Sequence, residues 1–319
     1  MRKFIVAVIA LATLGAPSTL AQSQPAPTLR IVTEDGNRLP ADLLYGNTRV
    51  KPVRLRPGTN TPITIEDTDF FVQQQYVDFL SRFPDASGFA HWQNVIDSCG
   101  ANAQCREVNR INVSGAFFLA IEFQQTGYLV YRFHKAAFGN LPGAPVPVRR
   151  ETFMPDTRAI GNGVVVLADG WEAKLEANKV AFAQAFVQRA EFTAAFPATM
   201  TPAAFVDQLN ARAGGPLDAA ERQSLINELT ANNTTAGRAS VLRKVAEDAT
   251  LFQAERNRAF VLMQYFGYLR RNPSDPPDAD LAGYNYWLGK LDEFGGDYEK
   301  AEMVKAFLSS TEYRGRFGN

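Results

Sequence analysis

Histidine is almost absent from this chain of 319 residues, which contains only His91 and His134. Histidine is the side chain that most often donates or accepts protons near neutral pH. Neither histidine lies in a catalytic motif, and His134 occupies the position that Tyr76 has in an earlier repeat. We therefore expect both to have packing or surface roles.

The signatures of several enzyme classes are also missing. The sequence contains no Gly-x-Ser-x-Gly elbow, no His-Glu-x-x-His motif and no Gly-x4-Gly-Lys-Ser/Thr loop. Gly161 and Gly163 precede an apolar run, but they lack the strand and the third glycine of a dinucleotide fingerprint. Two acids brought together by the fold could still hydrolyse a glycoside. The sequence predicts no catalytic residue and no cofactor, with a cryptic hydrolase as the remaining enzyme alternative.

Neither sign of charge is in excess, because 33 Lys and Arg residues balance 33 Asp and Glu residues. A nucleic-acid partner favours a strongly basic domain, so we expect none. Hydrophobic residues make up 46% of the chain, which provides enough apolar surface for a folded core. The composition is that of an ordinary globular protein.

Apolar runs of the roughly 20 residues that a membrane helix needs are absent. Residues 4–14 form a shorter run that follows Arg2 and Lys3 and precedes Thr19-Leu20-Ala21. A basic start, a short apolar run and small residues before a cleavage site are typical of a secretory signal peptide. We expect residues 1–21 to be removed, the mature chain to begin at Gln22, and the protein to lie in the periplasm, at the cell surface or in the medium.

Cysteine is limited to Cys99 and Cys105, which flank a short segment. The spacing is not that of a Cys-x-x-Cys redox or metal site, and no further thiol or histidine accompanies the pair. Since exported proteins fold in oxidising compartments, the sequence predicts a local disulfide.

Residues 22–68 differ from the rest of the chain. Residues 28–33, 49–56 and 62–66 favour strands and are separated by turn-forming pairs such as Asp35-Gly36 and Pro57-Gly58. The segment is predicted to be a linker or a small β-containing unit. One strand would present a basic face, either solvated or in contact with an anionic envelope polymer. The residues of this face are Arg49, Lys51, Arg54 and Arg56.

From residue 69 onward the apolar residues follow helical spacing, and the pattern repeats. Residues 71–84 align without a gap on residues 260–273. In both copies, an Asp-x-x-Gly element and a tryptophan four residues after its glycine follow, and a Phe-Phe or Phe-Leu pair precedes a glutamate near the end. Weaker copies between them predict modules at residues 69–127, 128–197, 202–252 and 257–317. The predicted fold class is all-α: an array of about four related helical modules, preceded by a short strand-containing segment.

The repeated positions are interpreted as scaffold, with each glutamate in the first turn of a short helix. We also expect Arg82 to pair with Glu122 and Arg271 with Glu312. The repeated positions are Tyr76, Arg82, Pro84, Gly88, Trp92, Glu122, Glu191, Glu247, Tyr265, Arg271, Pro273, Gly283, Trp287 and Glu312.

These motifs resemble the bacterial family called domain of unknown function 4214. The resemblance is carried by the aromatic-Val helix, the Arg-x-Pro turn, the Gly and Trp of the next helix, and a final Phe-Leu-x-Ser-x-Glu, and it is best at residues 69–123 and 259–317. The resemblance implies an exported, all-helical domain with no assigned reaction.

Two binding alternatives remain open. Asp275, Asp278 and Asp280 could supply oxygen ligands for calcium, but they lack the spacing of an EF-hand, and no metal site is predicted. A stacking platform for sugar rings could include four aromatic residues, although tryptophans at equivalent repeat positions favour a core role. These residues are Trp92, Trp287, Tyr284 and Tyr286.

The leading functional prediction is a non-enzymatic exported module with a protein partner or a structural role in the envelope. The alternative is a module that binds an envelope glycan or the cell wall. Burial of Trp92, Trp287 and Tyr286 would favour the first hypothesis, and their exposure would favour the second. We expect the two tryptophans to be buried against the aromatic residues of each module's first helix.

Overall fold

The structure is a computed structural model, and it describes residues 29–33, 41–45, 48–50, 54–278 and 280–317. The predicted signal peptide, residues 1–21, lies outside the described residues. Most of the described chain is helical, which confirms the prediction of an all-α fold. No helix in these described ranges is long and apolar enough to cross a membrane.

Short strands precede the helices. An antiparallel sheet has β2 (Ala41–Tyr45) at its centre, between β1 (Leu29–Thr33) and β3 (Thr48–Val50). In its register Ile31 faces Leu43 and Leu44 faces Arg49. A separate ribbon pairs β4 (Arg54–Leu55) with β5 (Pro62–Ile63). The sequence predicted strands around β1, β3, β4 and β5 but not β2, whose Leu-Leu-Tyr run does not alternate apolar and polar residues.

The predicted basic face contacts the helices where it is described. The Arg54 guanidinium lies 4.9 Å from the centre of the Phe70 ring. Arg56 donates to Asp67 at 2.7 Å and to Asp69 at 2.9 Å. Neither arginine is therefore part of a free, solvated strand face, because both anchor the ribbon to the first helix. The side chains of Arg49 and Lys51 lie outside the described residues.

The two outer modules have the same order of helices. The first contains α1 (Thr68–Gln75), which continues as a π-helical turn (Tyr76–Leu80), then α2 (Ala86–Asp97), α3 (Ala103–Leu119) and α4 (Ile121–Gln125). Between the outer modules lie α5 (Gly127–Phe138), α6 (Arg150–Gly161), α7 (Trp171–Phe186), α8 (Ala190–Ala195), α9 (Pro202–Ala213), α10 (Ala219–Ala231) and α11 (Thr235–Ala246). The last module contains α12 (Ala249–Gln264), which continues as a second π-helical turn (Tyr265–Leu269), then α13 (Ala282–Glu293), α14 (Met303–Ser309) and α15 (Thr311–Gly315). Helix α12 runs without a break through the predicted boundary between residues 252 and 257.

Both π-helical turns end at a residue in the left-handed region, Ser81 and Arg270, each with φ of 54°. Residues other than glycine rarely adopt this backbone conformation. It ends a helix abruptly. Pro84 and Pro273 lie three residues farther on, in the loops that follow. The left-handed residues, and not these prolines, therefore end the helices. The prolines instead constrain the chain that leads to the next helix.

The outer modules pack against each other through these π-helical turns. The rings of Phe79 and Tyr268, which occupy equivalent positions, are 5.1 Å apart in an edge-to-face arrangement. Gly267 makes this approach possible, since a Cβ there would lie 2.8 Å from the Phe79 ring. Beside the rings, the buried Asp78 carboxylate accepts hydrogen bonds from Arg270 at 3.0 Å and Arg316 at 2.8 Å. An apolar contact and a buried ion network therefore join the two ends of the array.

Candidate functional site

The two outer modules contain matching ion pairs. Arg82 donates through Nε and Nη2 to the two carboxylate oxygens of Glu122, both at 2.7 Å. Arg271 makes the equivalent bonds to Glu312 at 2.7 and 3.1 Å. Bidentate pairs of this kind are strong and hold both partners in one orientation. Each pair ties the loop after the π-helical turn to the short helix that closes the module.

A tyrosine ring and a glycine lie beside each ion pair, and the arginine, glutamate, tyrosine and glycine are together called a corner. Tyr76 lies under the Arg82 guanidinium, with 4.9 Å between Cζ and the ring centre, and a Cβ on Gly88 would lie 2.2 Å from the Tyr76 hydroxyl. In the last module the corresponding distances are 5.3 Å from Arg271 to the Tyr265 ring and 2.6 Å at Gly283. Only glycine permits so close an approach of the tyrosine to the helix backbone.

The electrostatics of the two corners also match. Burial raises the pKa of Tyr76 to about 12, with a smaller contribution from Asp85. Burial and the charge of Asp278 raise the pKa of Tyr265 to about 12 as well. Both phenols therefore remain protonated at physiological pH. They pack and carry no charge, which is the behaviour of scaffold residues.

The second module holds a different buried cluster at the corresponding place. His134 Nε2 lies 2.9 Å from one oxygen of Asp156, and Arg189 donates to both Asp156 oxygens, at 2.8 and 2.5 Å. Burial alone would raise the pKa of Asp156, but the hydrogen bonds from His134 and Arg189 hold it below its usual value. His134 is thus a buried, hydrogen-bonded residue that lies against the Phe186 ring. The cluster links α5, α6 and the start of α8.

The other two repeated glutamates differ from this arrangement, since Glu247 is paired with Arg243 of its own helix end rather than with a loop arginine. Glu191 lies in the first turn of α8 but is exposed. Glu247 ends α11 and does not belong to the first turn of a following helix. The residue of α12 equivalent to Glu122 is Thr250, because it is the second residue of its helix and precedes a buried apolar side chain, Leu251. The predicted alignment was therefore three residues out of register in the third module.

The tryptophans are half-buried, so they pack against the core without the complete burial of its central residues. Trp92 packs on Phe117 with 5.8 Å between ring centres, and Trp287 packs on Phe307 at the same distance. These partners lie on the third helix of each module. Trp92 also forms a side-chain hydrogen bond with Tyr76, in the continuation of the first helix, as the sequence predicted. Both indoles pack against the core but remain partly exposed to solvent.

An exposed ring stands beside each tryptophan. Tyr286 is 58% exposed and lies edge-on to Trp287 at 5.0 Å. His91, at the equivalent position, is exposed and lies edge-on to Trp92 at 4.8 Å. Tyr284, by contrast, is fully buried and donates to the carbonyl of Arg258. Tyr284 is therefore not part of the surface that the glycan hypothesis requires.

The aspartates considered for calcium have other partners. Asp275 accepts from Arg149 and from the Asn272 side chain, Asp278 pairs with Arg271 at 2.6 Å, and Asp280 accepts from the Ala282 amide at 2.9 Å. Within the described residues no group of three or more His, Cys, Asp or Glu side chains is arranged to hold a metal ion.

Cys99 and Cys105 are bonded to each other, with 5.6 Å between their Cα atoms, as the sequence predicted. The disulfide closes the turn between α2 and α3. Asn102 supports the same turn, since its side chain accepts a hydrogen bond from the Cys105 amide at 3.1 Å and caps α3. The direction in which α3 leaves the turn is therefore fixed at its first residues.

Helix α3 forms one wall of a groove whose other wall is α14, here called the α3–α14 groove. Its wider part encloses about 400 Å³ and is lined by Glu66, Ala103, Arg106, Glu107, Arg110, Ile111, Lys305, Leu308, Ser309 and Arg314. It continues into a narrower part of about 200 Å³, lined by Gln104, Glu107, Val108, Ile111, Asn112, Tyr298, Glu299, Glu302 and Lys305. The sequence analysis did not identify this surface, because most of its residues vary between the two outer modules.

A second hollow, of about 400 Å³, lies between α7 and α11 and contains two acids, Glu176 and Glu247. Arg243 stands between them and donates to Glu176 at 2.6 Å and to Glu247 at 3.0 Å. The hydrogen bonds from Arg243 hold the pKa of Glu176 below its usual value. The walls of this hollow include the small residues Ala236 and Ala239.

Comparison with known proteins bears on the last module. The model of one family, Domain of unknown function (DUF4214), matches residues 239–317. No curated protein and no solved structure matches the chain. The matched span begins within α11 and includes the whole of the last module, with Tyr265, Arg271, Gly283, Trp287 and Glu312. Residues 239–317 are therefore similar to the domain of unknown function DUF4214.

Proposed function

We propose that this protein is a non-enzymatic, exported module that binds another protein outside the cytoplasm, and that the α3–α14 groove is its binding surface. The observation that carries the proposal is the groove itself, in which apolar and charged side chains line a hollow along the outer face of α3. Grooves between helices that combine an apolar floor with a charged rim suit a segment of another protein.

Several titratable side chains outside the groove are already held by other side chains, which supports a non-enzymatic role. The corner arginines and glutamates are held in bidentate pairs, and His134 and Asp156 are buried in the second module. The pair Glu176 and Glu247 offers the nearest approach to a hydrolase site. A glycosidase acid needs a raised pKa, whereas Arg243 lowers that of Glu176.

Export is supported by the sequence and the disulfide. The basic and apolar start of the chain is typical of a secretory signal peptide. The bonded Cys99 and Cys105 suit an oxidising compartment. N-terminal sequencing of the protein from culture fractions, with Gln22 as the expected first residue, tests this part of the proposal.

Photo-crosslinking in the producing cells tests the binding surface. A photoreactive amino acid replaces Val108, which lies in the groove and is 43% exposed, or, as a control, Val180 on α7, which is 42% exposed. The expected result is a discrete protein adduct from position 108 and none from position 180. Equal yields at both positions, or no protein adduct at either, would reject the proposal.

A second candidate function is binding of an envelope glycan, and the exposed Tyr286 ring beside Trp287 favours it. Exposed aromatic rings provide faces for sugar stacking. Sedimentation with purified cell-wall sacculi tests this candidate. It predicts binding that Tyr286→Ala abolishes, whereas the leading proposal predicts no effect of Tyr286→Ala on the adduct from position 108.

A further inference from the structure

The α3–α14 groove has opposite charges at its two ends. Three arginines, Arg106, Arg110 and Arg314, stand at the wider end with a single glutamate, Glu66. The narrower end instead carries Glu299 and Glu302. Where the two parts meet, Glu107 and Lys305 face each other, with 3.6 Å between the charged atoms. The groove is therefore basic at one end, balanced in the middle and acidic at the other.

The charges at the basic end are only partly neutralised by the protein. Arg110 and Arg314 share one carboxylate, that of Glu66, at 2.9 and 2.6 Å. Arg106 pairs with Asp97, which lies outside the groove. One positive charge at this end is thus left without its own carboxylate, so an incoming acidic group meets a favourable potential.

The acidic end has the opposite character. Glu302 is exposed at the start of α14, and Glu299 is exposed in the turn before it. Among the described residues, neither forms an ion pair with a lysine or arginine side chain. Lys300, between them in sequence, is directed to Asp297 at 2.8 Å. An incoming basic group would therefore find two unshared carboxylates.

Apolar side chains lie between the charged ends. Ile111 borders both parts of the groove, Leu308 faces it from α14, and Val108 is exposed beside it. An apolar side chain of a ligand would cover this patch and exclude water from it, as apolar anchors do where a helix binds in a groove.

We infer that the groove binds a short segment of a partner protein in one direction, with acidic residues at Arg110 and Arg314, an apolar residue over Ile111 and Leu308, and basic residues at Glu299 and Glu302. The inference rests on the proposed function and specifies the partner's chemistry. A uniform polyanion fits less well, since it would be repelled at the acidic end. Charge polarity therefore determines both the composition and the orientation of the bound segment.

Selection from a phage-displayed library of random 12-residue peptides, with the mature full-length protein as target, tests the inference. Enriched peptides are expected to carry acidic and basic residues on opposite sides of an apolar residue. The affinity of a synthetic selected peptide is then measured by fluorescence anisotropy. Arg314→Glu and the pair Glu299→Lys with Glu302→Lys should each weaken binding about tenfold, from the loss of an attraction and the gain of a repulsion.

A charge exchange separates a binding effect from a folding effect. The variant that combines Arg314→Glu with Glu302→Lys should prefer a peptide in which the acidic and basic residues are exchanged, and its circular dichroism should match that of the wild type. Lys290→Glu, on α13 and outside the groove, is the matched control and should leave the affinity unchanged.

Three results would overturn the inference: no enriched peptide, enriched peptides without charge polarity, or selected peptides that bind the groove variants and the wild type equally. The proposed function is tested separately, because the adduct from position 108 does not depend on the peptide chosen. If that adduct forms and the charge variants do not change its yield, the groove binds a protein by another chemistry, and only the present inference fails.

Discussion

The first and second modules fasten their short closing helices with ion pairs of reversed polarity. In the first module the arginine, Arg82, follows the first helix and the acid, Glu122, belongs to α4. In the second module the arginine, Arg189, stands at the start of α8 and the acid, Asp156, belongs to α6. Both links hold the closing helix, but the first joins it to the loop after the first helix and the second joins it to the second helix. The repeated glutamate is therefore one of two arrangements by which a charged link holds a closing helix in this array.

The largest predicted loss of stability follows from removing Asp156, the shared acceptor of the ion pair in the second module. Asp156→Ala leaves Arg189 and His134 without their shared acceptor, and loss of one partner from a buried charge pair costs about 3–5 kcal/mol. Thermal and urea unfolding at pH 7 measure this loss of stability. The exposed pair of Asp207 and Arg222 is the control, and Asp207→Ala should change stability little.

The effect of Asp156→Ala should depend on pH. The pKa of Asp156 lies below its usual value in the folded protein. A carboxyl group of this kind stabilises the fold above its unfolded pKa of about 4, and the contribution is lost as the pH falls through the lower folded value. The stability difference between the wild type and Asp156→Ala should therefore narrow below about pH 4. A difference that stays constant down to pH 2 would show that the charge of Asp156 does not stabilise the fold.

A smaller loss of stability is expected when the arginine–glutamate pairs of the outer modules are broken. Arg82→Leu leaves the Glu122 carboxylate, which is only 9% exposed, without its cation, and should cost about 3 kcal/mol. Arg271→Leu should cost about half as much through this pair, because Glu312 is 36% exposed and water can solvate it. Combining Arg82→Leu with Glu122→Leu should restore part of the stability. Equal losses for the two arginine variants would contradict the burial argument.

The two outer modules also differ in how closely the glycine of the second helix approaches its tyrosine. Gly88→Ala places a Cβ 2.2 Å from the buried Tyr76 hydroxyl, so it should cost about 1–3 kcal/mol, the usual range for an overpacked site. Gly283→Ala, with 2.6 Å to the Tyr265 hydroxyl, should cost less. Gly289→Ala on α13 meets nothing within 4 Å and should stabilise the helix. Tyr76→Phe should relieve most of the cost of Gly88→Ala, and its failure to do so would place the clash elsewhere.

The disulfide is a feature of the first module that the last module lacks. Replacing both Cys99 and Cys105 by serine should lower stability by about 2 kcal/mol, because the bond closes a small loop. Dithiothreitol should lower the unfolding temperature of the wild type by a similar amount and leave that of the serine variant unchanged. A reductant effect on the serine variant would refute this assignment.

The sequence predicted the fold class, the disulfide, and both arginine–glutamate pairs of the outer modules. These features depend on local periodicity or on residues that occur twice at equal spacing. The register of the third module was wrong, since Glu247 matched the pattern by residue type while Thr250 occupies the structural position. The sequence alone could not show whether Glu247 or Thr250 lies in the first turn of a helix, because the position at which α11 ends depends on its packing.

The α3–α14 groove was harder to predict from the sequence than the repeated helical scaffold. Repetition reveals what the modules share, whereas the α3–α14 groove forms where helices of two different modules meet. Its residues are 190 or more positions apart along the chain in cases such as Arg106 and Lys305, and no local pattern connects them. The half-buried tryptophans show the same limit. Their equal spacing predicted equivalent positions, but the depth of burial depends on which neighbouring helix covers them.

The central claim is that buried ion pairs hold the fold, while the exposed charged side chains of the α3–α14 groove bind a partner. The most direct test measures the unfolding temperature and the yield of the adduct from position 108 in the same variant, Arg314→Glu combined with Lys305→Glu. Both residues line the groove and are partly exposed. The predicted result is an unfolding temperature close to that of the wild type and a strongly reduced adduct. An unchanged adduct yield in this folded variant would contradict the claim.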